Sequence, residues 1–197
     1  MAGIGLYGVY YAKATLTNGI VTGYGSEKTM GAAISATWEP AETNANPLYA
    51  NNGIAERDGA GSSGGTLTVT LDRLKQEAAE DLFGLTGTST VISGVTGSGY
   101  DYTGSEISAP DGVGFIKWSQ EETNRNHYTA IVYAYALFSP PSENYQTMGE
   151  SVEWQTPELT GTVSGSAVSG SYAWRAVRDF PDQNSAIAFI NKFFTGT

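Results

Sequence analysis

The sequence predicts a mainly β protein: a β-sandwich or partly open barrel with one flanking α-helix, a long arm between strands and a short C-terminal helix. Three observations predict this. Apolar and polar residues alternate over several short segments, most strictly in TLTVTL (Thr66–Leu71). Glycines, 25 of 197 residues, gather with Asn, Ser and Pro between those segments, where the chain must turn or stop. Two stretches change to the three- and four-residue step of a helix. Many short strands, frequent turns and few helices describe a two-layer or barrel architecture.

The elements follow in order. Tyr7–Leu16 and Ile20–Tyr24 are rich in Tyr, Val and Thr and flank Asn18-Gly19, a pair suited to the positive φ angles of a hairpin turn. Gly31–Trp38 (GAAISATW) predicts a half-buried strand facing the core through Ala32, Ile34, Ala36 and Trp38. In Thr66–Leu71 the core face is Leu67, Val69 and Leu71, with Thr66, Thr68 and Thr70 outside. LDRLKQEAAEDLFGL then spaces Leu71, Leu74, Ala78, Leu82 and Leu85 for a helix of about three turns, capped by Asp72 and closed by Gly84. Its outer side carries Arg73, Gln76, Glu77 and Glu80, so it is expected to cover a sheet.

Thr86–Gly99 predicts an edge strand around Thr90–Ile92 and then a loop; Gly114–Ser119 predicts a strand. Tyr128–Phe138 (YTAIVYAYALF) is apolar on both faces and reaches roughly 36 Å if fully extended. Ser139-Pro140-Pro141 ends it, since proline cannot donate to a ladder. Ser151–Val163 predicts a further strand, with Val152 and Trp154 on one face, Glu153 and Gln155 on the other, and Pro157 at an edge or bulge. Tyr172–Val177 is the last short strand, and from Pro181 the pattern aligns Ile187, Ile190 and Phe194, beside Ala186, Phe189 and Phe193, on a C-terminal helix.

One segment resists this scheme. ETNANPLYANNGIAERDGAGSSGG (Glu42–Gly65) is a polar, Gly- and Asn-rich insert longer than the roughly 12–15 residues that structureless loops usually reach in compact domains. Its large apolar residues are Leu48, Tyr49 and Ile54, and Asn52-Gly53 offers a hairpin turn.

A chain of 197 residues with 40% hydrophobic residues suits a single domain spanning 1–197, with a C-terminal extension from about residue 164. No apolar run reaches the roughly 18 residues of a membrane span, and the start lacks a secretory pattern, so a soluble, unprocessed chain with no membrane partner is expected. Cysteine is absent, so assembly must rest on packing and hydrogen bonds. The formal net charge of -10 argues against ordinary nucleic-acid binding. No Lys or Arg occurs between Lys75 and Lys117 or between Arg125 and Arg175, while both stretches carry several carboxylates.

Motifs for chemistry are weak. Gly59–Gly64 matches G-x-G-x-x-G but follows no hydrophobic strand and precedes no helix, so no cofactor is expected. The single histidine, His127, has no nucleophile elbow to serve, and without Cys a His/Cys metal cluster is excluded. The carboxylates allow an acid-base hydrolase without specifically supporting one. Trp38, Trp118, Trp154 and Trp174 suit sugar stacking in a carbohydrate-binding or adhesive β-sandwich, although their strand positions favour core packing.

Taken in order, YGVYYAK, GAAISATWEPAETNANPLYANNGIAE, LTVTLDRLKQEAAEDLFGLTG and HYTAIVYAYALFSPPSENYQTMGESVEWQTPELTGT resemble the major tail (tail tube) proteins of long-tailed, non-contractile bacteriophages. The most specific part is Tyr133–Thr162, and the likeness runs from about Tyr7 to Val163. It implies a tail-tube-type β-sandwich with a flanking helix, no enzymatic activity, and copies forming hexameric rings stacked into a tube through which the genome passes. It also implies a place in the virion tail, after assembly in the host cytoplasm, beside tape measure, tail terminator and distal tail proteins. On this footing the arm is expected to reach the neighbouring ring, anchored by Leu48, Tyr49 and Ile54 and turned back by Asn52 and Gly53. Glu77, Glu80, Asp81, Glu106, Asp111, Glu143, Glu150 and Glu153 are candidate lumen carboxylates that let double-stranded DNA pass without binding it.

Overall fold

The computed structural model describes residues 3–41, 47–50, 53–57, 64–121, 125–142, 145–147, 154–170 and 172–196. Its elements are β1 (Gly3–Thr17), β2 (Ile20–Tyr24), β3 (Lys28–Gly31), β4 (Ala33–Pro40), β5 (Pro47–Ala50), β6 (Gly53–Arg57), β7 (Gly64–Leu71), α1 (Gln76–Phe83), β8 (Thr86–Ile92), β9 (Val95–Asp101), β10 (Asp111–Gln120), β11 (Asn126–Phe138), β12 (Glu158–Ser164), β13 (Arg175–Phe180) and α2 (Gln183–Thr195). The molecule is mainly β, its strand pairs antiparallel, with two helices among the described residues. Among the described residues no helix is long and apolar enough to cross a membrane.

Asn18 and Gly19, at φ 53° and 79°, turn β1 into β2 as their residue types require. The main sheet runs β2-β1-β10-β11-β12-β7-β4. It also curls back on itself. β4 is separated from β3 by Ala32 alone, and β3 pairs with β1 through Val9–Gly31 and Tyr11–Lys28. The path β1-β10-β11-β12-β7-β4-β3 therefore returns to β1, forming a partly open barrel with a one-residue seam. Asp72 clasps that seam: its Oδ1 accepts from Ala32 N at 2.8 Å, and its own N–H donates to Ala32 O at 3.0 Å. The chains approach closely there, since a Cβ on Gly31 would lie 2.3 Å from the Arg73 carbonyl oxygen.

The barrel interior holds one core. Val9 and Tyr11 of β1, Leu67, Val69 and Leu71 of β7, Val113 and Phe115 of β10, and Tyr133 and Phe138 of β11 pack with Ala78, Ala79, Leu82 and Phe83 of α1. The alternation read in TLTVTL thus holds, with all three apolar residues fully buried. A second core lies on the outer face, where Ala186, Ile190 and Phe194 of α2 pack on Ala12, Ile116, Ala130 and Val132. Glycines in β10 make room for it: a Cβ on Gly112 would stand 2.4 Å from Phe194 Cε1, and one on Gly114 2.9 Å from Ile190 Cγ2. Asp182 caps α2 by accepting from Ser185 N at 2.8 Å.

The two apolar faces of Tyr128–Phe138 meet the barrel core on one side and α2 on the other, within one chain. Several expectations need correction. α1 is about two turns, because Leu71 finishes β7 and Asp72 is engaged at the seam; its N-cap is Lys75 and makes no side-chain cap bond. Gly84, at φ 67°, closes it as expected. A bulge between Ala33 and Ser35 leaves Ile34 53% exposed, whereas Ala36 and Trp38 do pack on the core. Thr86–Gly99 lies within a full hairpin, β8–β9, turning at Ser93-Gly94 with φ 52° and 81°. The expected strand Ser151–Val163 is present only from Glu158; Trp154 is in no strand, and 151–153 lie outside the described residues. The last strand is displaced from Tyr172–Val177 to Arg175–Phe180.

Candidate functional site

Gly59–Ser63 lie outside the described residues, and Gly64 opens a strand. His127 Nε2 stands 3.0 Å from Glu121 Oε1 where β10 meets β11, and the residue opposite it in register, Ser119, is only 3% exposed and closed to a substrate. Among the described residues no group of three or more His, Asp or Glu is arranged to hold a metal ion.

The acidic residues are better defined. Glu77, Glu80 and Asp81 share α1. Lys28 of β3 reaches them, its Nζ 2.8 Å from Glu77 Oε1 and 2.7 Å from Asp81 Oδ2. Lys13 Nζ lies 4.0 Å from Asp81 Oδ1, and Tyr11 Oη donates to Asp81 Oδ2 at 3.0 Å. The hydrogen bond to Asp81, with that to Glu77 next, holds the Lys28 ammonium above its usual pKa. A stretch free of bases along the sequence is therefore balanced in space by lysines from β1 and β3. Glu80 accepts from Gln76 Nε2 at 2.7 Å. Glu106 folds back on its own loop, accepting from Thr103 N and, at 3.0 Å, from Gly104 N; these backbone bonds, Thr103 first, hold its carboxyl below the usual range.

Asp111 departs from the expected set. It is fully buried at the start of β10, opposite Lys13, and neither carboxyl oxygen has a hydrogen-bond partner among the described residues. Burial first, and the Asp81 charge second, push its pKa up to about 8. A carboxyl buried in the single subunit presents no charge at its surface, which weakens the case for Asp111 as a lumen residue. Glu143, Glu150 and Glu153 lie outside the described residues.

The arm contains a hairpin, β5–β6, that among the described residues pairs only with itself. Its register sets Leu48 opposite Glu56, Tyr49 opposite Ile54 and Ala50 opposite Gly53. Gly53 thus begins the returning strand, while Asn52 lies outside the described residues. Of the second separate hairpin, β8–β9, the sequence reading found the strand around Thr90–Ile92 but not its partner β9, because the hairpin lacks a buried face: every residue from Thr90 to Ser98 is exposed, so no alternation marks it. Its one local signal was Ser93-Gly94.

Trp38 and Trp174 pack on the interior core, the indoles 6.1 Å apart, with the Arg175 guanidinium 4.7 Å from the Trp38 ring. Trp154 is 86% exposed and lines a groove with Tyr145, which is 81% exposed. The chain matches no protein-family model, and comparison with curated proteins gave no match.

Proposed function

We propose that the protein is a structural subunit of a phage tail tube, forming stacked hexameric rings around a lumen through which the genome passes. The reading rests on the sequence resemblance from about Tyr7 to Val163. The observation that carries it in the fold is the pair of hairpins, β5–β6 and β8–β9, joined to the main sheet by no strand pairing among the described residues. An isolated two-stranded ribbon is marginal in water, so such elements gain stability by lying on a neighbour. β4 and β13 each have one strand partner among the described residues, which leaves edges suited to joining sheets between copies. The tail-tube sandwich is the finer form proposed for this barrel.

The net charge of -10 suits a conduit that double-stranded DNA traverses without adhering. Glu77, Glu80, Asp81 and Glu106, with Glu143, Glu150 and Glu153, remain the candidate lumen carboxylates, and Leu48, Tyr49 and Ile54 the arm anchors. At its ends the tube would meet tape measure, tail terminator and distal tail proteins. Negative-stain microscopy of the concentrated protein tests the reading: rings or tubes support it, and dispersed particles of subunit size throughout overturn it.

A second reading, a carbohydrate-binding β-sandwich, is favoured by the exposed Trp154 and Tyr145 rings beside one groove. Glycan-array binding abolished by Trp154→Ala would support it.

A further inference from the structure

Asp111 is a buried carboxyl that the described residues leave unpaired. The register that sets Tyr11 opposite Val113 sets Lys13 opposite Asp111, so Asp111 lies on the same face of the sheet as those two core residues, the face that α1 covers. It is fully buried, and neither oxygen has a hydrogen-bond partner among the described residues. Without one, the carboxylate form is costly and the protonated acid is not, so burial keeps the proton on the group up to about pH 8.

α1 closes the barrel over this carboxyl. Ala78, Ala79, Leu82 and Phe83 pack on the interior core, while Asp81 accepts from the Tyr11 hydroxyl at 3.0 Å and from Lys28 Nζ at 2.7 Å. The charged groups that act on Asp111 are Asp81 of α1, Lys13 of β1 and Lys28 of β3. Tyr11 and Glu77 belong to the same network, and β11 sets uncharged Ala136 opposite Asp111. Lys28 is held between two carboxylates, 2.8 Å from Glu77 and 2.7 Å from Asp81. Lys13 is held less firmly: it lies 4.0 Å from Asp81, with 56% of its side chain exposed. It therefore stands between Asp81 on the helix and Asp111 across the ladder, able to serve either.

We propose that Asp111 locks α1 through its proton: while the proton stays, Lys13 remains with Asp81 and the helix remains docked, and when it leaves to solvent, Lys13 turns to Asp111 and α1 lifts to admit water. Lifting α1 exposes the carboxyl and returns it to the ordinary value of 3.8. Between 3.8 and about 8, each unit of pH then favours the open form about tenfold more. The lock belongs to the single subunit and goes beyond the tail tube reading.

Hydrogen–deuterium exchange of the whole chain, read by mass spectrometry and corrected for intrinsic rates, tests the lock. Amides of Gln76–Phe83 should open about 100-fold more at pH 7 than at pH 5, and at pH 7 at least about tenfold more than those of Asp111–Gln120. Asp111→Asn should remove the rise. A flat profile in the parent, an equal rise in Asp111→Asn, or equal opening of α1 and β10 overturns the proposal, the last because the subunit would then be unfolding as a whole. The infrared carbonyl band of a protonated carboxyl needs no variant: it should persist in the parent at pH 7 and fade near pH 8, and its absence at pH 7 also overturns the lock. Lys13→Gln should move that fading to higher pH, and an unmoved band overturns the exchange of Lys13.

Discussion

Replacing Asp111 by Asn should change how stability depends on pH. The Asp111 carboxyl has its pKa raised from 3.8 to about 8, by burial first and Asp81 second, against the opposing pull of Lys13 and Lys28. Below 3.8 both native and unfolded chains hold the proton, and its stabilising effect is fully present. Between that value and about 8 the unfolded chain has released a proton that the native chain keeps, so stability falls as pH rises, by about 1.4 kcal/mol per unit. At pH 7 the interval is 7 − 3.8 = 3.2 units, equivalent to about 4 kcal/mol. Asn has no proton to release, although burying its amide without partners costs about 1–3 kcal/mol. The variant should therefore be more stable than the parent at pH 7 by about 1–3 kcal/mol. Urea unfolding of both proteins at pH 5, 6, 7 and 8, followed by Trp fluorescence, measures the difference. It should grow by about 1.4 kcal/mol per unit up to pH 7 and level off near 8. Parallel pH profiles for the two proteins would show that Asp111 does not hold a proton the unfolded chain has released.

Other expectations concern α2 and the arm. Gly112→Ala forces a methyl against the Phe194 and Tyr24 rings, which its Cβ would approach to 2.4 and 2.7 Å, and should cost about 1–3 kcal/mol in thermal unfolding, with earlier proteolysis of α2. Asp182→Ala removes the bonds from Ser185 N and Oγ and should cost about 1 kcal/mol in the same measurement. Deleting residues 44–63 should leave a chain that melts within a few degrees of the parent but forms no tubes in micrographs. The deletion stops before Gly64 because that residue pairs with Ser164 in the sheet.

Elements whose local chemistry agreed with their burial were legible in the sequence. Asn18-Gly19 fixed a turn by its φ preferences, and Leu67, Val69 and Leu71 share one face buried by the barrel. The C-terminal stripe of Ala186, Ile190 and Phe194 likewise faces one sheet. Where tertiary contacts decide, sequence reading failed. Asp72 resembles a helix cap, yet the seam takes its carboxylate; Ile34 fits the alternation, yet a bulge turns it outward. The double-faced apolar pattern of β11 signals burial on both sides without saying whether a helix or a second subunit provides it, and α2 does. In the acidic set, charge counted along the chain missed Lys13 and Lys28, which arrive from distant strands, and composition gave no sign that Asp111 is buried.

If copies of this subunit associate into a closed, hollow assembly, sedimentation velocity across a concentration series should show the boundary of the 20.8 kDa subunit giving way, as concentration rises, to discrete fast-sedimenting species of ring size and larger. A single subunit boundary at every concentration would rule that assembly out.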